Sequence, residues 1–236
     1  MRSFRLFLWI YIFAISGILY PEIQNTLSAQ QHMFPKEENV YFRWAFGALT
    51  VKGNDHILIP ITADTTLKTG DQLKIYFELQ KDCFVYLIYH SSQDLLDMLF
   101  PHDLQQFVQG YNISGKNYIP PGNQWFELDQ HVGIETYYLL ASAQRLNQLE
   151  SLFGQYESAQ PTQKEELKQK ILAEIKNLRW QHRNFKKHAE RPVSIIGSRR
   201  GAGKVDKPES FDVADLAIEI SAQNFYSRTF TIDHRQ

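Results

Sequence analysis

Leu73-Lys74-Ile75-Tyr76-Phe77-Glu78-Leu79, and then Cys83-Phe84-Val85-Tyr86-Leu87-Ile88-Tyr89, decide the fold class of this chain. The first run alternates, with Leu73, Ile75, Phe77 and Leu79 on one face, as a half-buried strand requires. The second is apolar on both faces and reads as a central strand. Gln80-Lys81-Asp82 links them. On the N-terminal side, Tyr41–Phe46 alternates in part and His56–Ile61 is a short apolar run interrupted by Pro60. Leu67–Asp71 reads as a turn, since Gly70 supplies positive φ and Asp71 a capping side chain. On the C-terminal side, Ser91–Asp94 is a polar turn and Leu95–Phe100 a strand closed by Pro101. Short links between successive strands suggest a meander.

Asp103–Gly115 reads as a loop. Asn117–Ile119 and Gln124–Leu128 are strand candidates separated by Pro120-Pro121-Gly122, and Ile134–Ala141 is another. The period then lengthens. Leu146, Leu149, Phe153 and Tyr156 recur at helical spacing. Pro161 interrupts, and Thr162 with Glu165 has capping-box spacing. Leu167, Ile171, Ile175, Leu178 and Phe185 then mark a second helix reaching about His188. Ala214–Ile220 and Asn224–Ile232 are final strands. The expected class is α+β: a mainly antiparallel sheet or sandwich with a helical hairpin inserted near residues 143–188, all in one domain over 41–236.

The leading residues have another character. Arg2 and Arg5 precede an apolar run from Leu6 to Tyr20, and Leu27-Ser28-Ala29 offers small residues for cleavage. This is the plan of a secretory signal over 1–29, followed by a polar segment over 30–40. An uncleaved membrane anchor is the other reading of the same run. Export implies a periplasmic or extracellular protein, peripheral to the membrane. The single cysteine, Cys83, sits in an apolar run and is expected to be buried.

The stretches Leu67–Lys74, Phe84–Ile88, Leu99-Phe100-Pro101, Tyr118-Ile119-Pro120 and Glu135–Ser142 carry a resemblance. In that order, from about Trp44 to Ser142, the chain resembles a bacterial family known as domain of unknown function 4384. The pattern is a Gly-Asp turn, a "YVYL"-like strand, an "LFP" strand end, an "IP" and an "E-x-x-Y-x-x-A-S" strand. The resemblance implies a strand-rich accessory module of exported or membrane-attached proteins. It implies no catalytic residues. The chain departs from the pattern at Ser91–Asp94, where a glycine-bearing turn is usual, and in carrying the helical hairpin.

Chemistry is sparsely marked. Gly197–Lys204 resembles a phosphate-binding loop, but Ser198 stands where the first glycine belongs and Val205 replaces the hydroxyl residue. No cofactor is implied. His182 and His188 are six apart, which is not the i, i+4 spacing of helical metal ligands. No metal site is expected. Pro101-His102-Asp103 holds a His–Asp dipeptide, the basis of an alternative reading as an envelope hydrolase.

Charge is more telling. The formal net charge is −1, which argues against nucleic acid as a partner. Yet Lys176–Lys207 holds ten Lys and Arg against Glu190 and Asp206 alone. Arg179, Arg183, Lys186, Lys187, Arg199, Arg200 and Lys204 are the candidate anion- or partner-binding residues. A solvated helix end favoured by the helix dipole explains the same residues without a ligand. The function expected from sequence is a non-catalytic binding or assembly module of a bacterial cell envelope, contacting another envelope protein or an anionic envelope surface.

Overall fold

The computed structural model describes residues 39–53, 55–80, 83–107, 115–183, 188–192 and 211–236. The expected signal over 1–29 and most of the N-terminal polar segment lie outside these residues, as does the basic glycine-rich stretch 197–207. No helix among the described residues is long and apolar enough to cross a membrane.

Strand β1 (Asn39–Lys52) is the spine of the first sheet. Val40, Phe42, Trp44, Phe46 and Ala48 alternate along it and are all buried, so one whole face of a long strand is committed to the core. Its early residues pair with β11 (Ile218–Gln223), and its later ones fold back through a turn at Gly53 onto β2 (Asp55–Pro60). Along its other edge lies β4 (Gln72–Leu79), which in turn pairs with β7 (Lys116–Ile119) and β8 (Phe126–Glu127). A further strand, β10 (His188–Pro192), closes the far edge on β11.

The second sheet runs β3 (Thr65–Lys68), β12 (Phe225–Arg235), β9 (Gly133–Ser142), β5 (Phe84–His90), β6 (Leu96–Phe100). It is antiparallel except for β3, which lies parallel to the end of β12. Sequence alone placed residues 67–71 entirely in a turn. The structure confines the turn to the residues after Lys68, because the preceding four complete the sheet edge along β12. The Gly70-Asp71 turn itself forms as expected. Gly70 has φ +90° and the Asp71 carboxylate accepts from Lys68 N at 2.8 Å.

The chain is a sandwich rather than a meander. It passes repeatedly from one sheet to the other, and the two inner faces bury each other. Aromatic pairs bridge them: Phe42 with Tyr226, Trp44 with Phe230, Phe46 with Tyr137 and Phe77 with Phe100, at 4.4 to 5.9 Å between ring centres. A period-2 pattern says that a strand has an apolar face, but not which sheet that face meets. Cys83 is buried in this inter-sheet core.

Helices α1 (Asn147–Ser158) and α2 (Pro161–Gln181) cover the outer face of the second sheet. Leu149, Phe153, Ile171, Ile175 and Leu178 pack on Tyr86, Ile88, Leu140 and Phe225. That is why β5 is apolar on both faces: one meets the other sheet and one meets the hairpin. Two sequence expectations are corrected. The second helix ends at Gln181, because His188–Pro192 is taken up as a strand on β11. The expected capping box does not form. Pro161 occupies the first helical turn, where its missing N–H costs nothing, so Thr162 already lies inside the helix. Glu165 pairs instead with Lys168, a buried lysine that also binds the Asp94 carboxylate and fastens α2 to the β5–β6 turn.

Candidate functional site

At one end of the sandwich, a cleft of about 340 Å³ opens between β6, β8 and the start of β9. Three turns shape it. The Gly70-Asp71 turn exchanges backbone hydrogen bonds with Leu128, Gly70 N to Leu128 O at 2.8 Å and Leu128 N to Asp71 O at 2.9 Å, and so fixes the strand beside the cleft. The β5–β6 turn folds tightly through Asp94, whose φ is +64°. Gly133 starts β9 at φ +141°, and a Cβ there would stand 2.8 Å from Ser92 Cβ. Only glycine lets β9 begin this close to the β5–β6 turn.

The chemistry of the cleft is acidic and aromatic. Glu135 forms part of its wall and is only 7% exposed. Burial pushes its carboxyl above the ordinary carboxylate range, opposed by His234 and by the Tyr89 hydroxyl. His234 lies fully within the fold, its Nδ1 3.9 Å from Glu135 Oε1 and its Nε2 3.1 Å from Thr69 Oγ1. Its Nδ1 has no hydrogen-bond partner. The Tyr89 and Tyr137 rings lie tilted against each other, 4.9 Å between centres, beside this carboxylate, and burial raises both hydroxyls well above the ordinary value. At the rim, Asp129 accepts from His131 through both ring and backbone nitrogen, which holds its carboxyl below the usual range.

Residues 66–145 match the family model described as a domain of unknown function, DUF4384. No curated protein and no solved structure matches the chain. The match begins later than the expected start at Trp44 and runs slightly past Ser142. Every residue lining the cleft, from Leu73 to Tyr137, falls inside the DUF4384 segment, while His234, which stands behind Glu135, lies outside that segment. The motif residues of DUF4384 divide by role. Tyr86 is structural: its hydroxyl donates to Glu150 at 2.6 Å and accepts from Leu146 N at 2.9 Å, tying β5 to the start of α1. Glu135 belongs to the cleft.

The sequence-named candidates lie elsewhere. Arg179 and Arg183 stand at the C-terminal end of α2, both exposed. Arg179 Nη1 donates to Thr229 Oγ1 at 3.0 Å, and the Arg183 guanidinium lies 5.0 Å over the Trp180 ring. Trp180 is 61% exposed, large for an indole. Lys186, Lys187, Arg199, Arg200 and Lys204 fall outside the described residues. His102 and Asp103 are both exposed, and the Asp103 carboxylate accepts from Gln105 N at 2.8 Å, capping the short helix Leu104–Phe107. Sequence reasoning missed the cleft. Its signals were the Glu of the "E-x-x-Y" strand and the glycine before it, each unremarkable until β12 supplies a histidine.

Proposed function

We propose that this protein is an exported, non-catalytic recognition module of a bacterial cell envelope, and that it docks on an anionic surface through the C-terminal end of α2. The observation that carries this reading is Trp180, solvent-exposed and bearing the Arg183 guanidinium on its ring, with Arg179 exposed on the same helix end. An indole beside arginines suits an interface that is apolar on one side and anionic on the other. The basic excess from Lys176 to Lys207 supports it, and the apolar N-terminal run supports export. The paired sheets give the rigid platform that such a contact needs.

The test compares the chain lacking residues 1–29 with its Arg179→Gln/Arg183→Gln variant on vesicles of phosphatidylcholine with and without phosphatidylglycerol. Each basic side chain near an anionic surface contributes about 1 kcal/mol, so the double variant should bind anionic vesicles roughly thirtyfold more weakly. Trp180→Ala should weaken binding further without altering its salt dependence. Equal binding of parent and variants, or no preference for the anionic vesicles, refutes membrane docking. Capture of an acidic envelope protein by the parent but not the double variant would assign the same surface to a protein partner.

A further inference from the structure

The walls of the cleft specify an occupant by charge. Asp97, Glu127, Asp129 and Glu135 border it, and among the described residues no lysine or arginine does. Only Asp129 has a basic neighbour in the lining, His131. The Tyr89 and Tyr137 rings add faces of negative potential, which attract a cation as carboxylates do. Leu95 and Phe126 supply exposed apolar surface at the mouth. The volume, about 340 Å³, lies within the range small ligands occupy.

A second, independent observation lies behind Glu135. His234 is 2% exposed, and its Nδ1, without a hydrogen-bond partner, faces Glu135 at 3.9 Å. Buried polar groups are normally paired, so hydrogen-bonding capacity is left unused directly behind the Glu135 wall of the cleft. A carboxylate offers about four acceptor positions, and on Glu135 the Tyr89 hydroxyl takes one while His234 acts through charge alone. A bare metal ion fits poorly. Among the described residues, no three His, Cys, Asp or Glu side chains converge as ligands. Carboxylates spread around a recess with aromatic and aliphatic walls suit a larger cation.

We infer that this cleft binds a ligand carrying one organic cation, a primary ammonium or guanidinium group on an apolar stem. The cation sits at Glu135, beside the Tyr89 and Tyr137 rings. The stem lies over Leu95 and Phe126. Asp97 and Glu127 at the mouth draw the cation in and reject anions. The ligand is either a free amine or a lysine or arginine side chain of another chain, and the same chemistry recognises both.

The test titrates the full chain with phenethylamine and with arginine methyl ester, using 3-phenylpropionate and phenethyl alcohol as anionic and neutral counterparts. Backbone amide shifts in the β5–β6 turn and at the start of β9 report binding. Both cations should shift these amides saturably and the counterparts should not. Glu135→Gln should weaken the cations about tenfold, the scale of one charge-assisted hydrogen bond. Asp97→Asn with Glu127→Gln, two exposed residues whose loss leaves the fold intact, should weaken them severalfold and slow association at low salt. A capped pentapeptide with a central arginine separates the sources: tighter binding than the methyl ester assigns the cleft to a protein partner, weaker binding to a small solute. Equal response to cationic and neutral probes, no response to either cation, or unchanged affinity in the Asp97/Glu127 variant overturns the inference.

Discussion

Strand β5 carries two tyrosines that each meet a buried carboxylate, on opposite faces of one sheet. Tyr86 faces the helical hairpin and donates to Glu150, which is 6% exposed and also takes Arg145 Nε at 3.1 and 3.2 Å from its two oxygens. Tyr89 faces the other way, toward Glu135, which is 7% exposed and, among the described residues, has His234 Nδ1 at 3.9 Å as its basic neighbour. Equal burial therefore has unequal meaning. A buried carboxylate met by a guanidinium and a hydroxyl is a fastening, here of α1 to β5. One left with spare acceptor capacity at the wall of a cleft is a site.

The sharpest way to break the comparison is to neutralise each carboxylate. Glu150→Gln turns an amide toward Arg145 and Tyr86 and should cost about 2 kcal/mol, read as a lower midpoint in urea. If it costs nothing, Glu150 is no fastening. The next effect concerns the frame of the cleft. Gly133→Ala places a Cβ against Ser92 on a backbone at φ +141° and should cost about 1–3 kcal/mol. Adding Ser92→Gly should recover only the part due to the clash, so full recovery would show that backbone strain is absent.

The smallest effect is the most diagnostic. Glu135→Gln should leave stability at neutral pH unchanged or slightly higher. Burial raises the Glu135 carboxyl above its ordinary value, 4.5, so the folded state holds its proton more tightly than the unfolded chain does. The resulting stabilisation is fully present below the unfolded value and is lost as pH rises through the raised folded value. Urea midpoints of parent and Glu135→Gln chains should therefore converge or cross as pH falls through that window. The charged and titratable groups around Glu135 are His234 on β12, Tyr89 on β5, Tyr137 on β9 and Asp129 on the preceding turn. A pH-independent difference between the two chains would show that Glu135 titrates normally.

Much of the fold was legible because its signals are local. The alternation of Leu73, Ile75 and Phe77, the two-sided apolarity around Tyr86 and the helical spacing of Leu149 and Phe153 each report burial within a few residues. The Gly70-Asp71 turn was equally readable, since its φ and its cap lie within its own four residues. The candidate site was far less legible. The basic run from Lys176 pointed to a surface through charge alone, and its Trp180 companion gave no sign of being exposed. In His102-Asp103, which looked like chemistry, the Asp103 carboxylate caps a short helix. The cleft had no motif of its own.

By itself, then, the sequence determined most of the strands, the helical hairpin, the class and the DUF4384 relationship, all of which rest on patterns that repeat over short distances, but not β3 or β10, which it read as turn and helix. Tertiary structure alone decided that the strands divide between two sheets, that the hairpin covers only one of them, and that Tyr86 meets Glu150 across 64 residues. It also decided that His234 stands behind Glu135. The physical reason is that periodicity fixes which face of an element is apolar, whereas the choice of what that face meets depends on the packing of the whole chain.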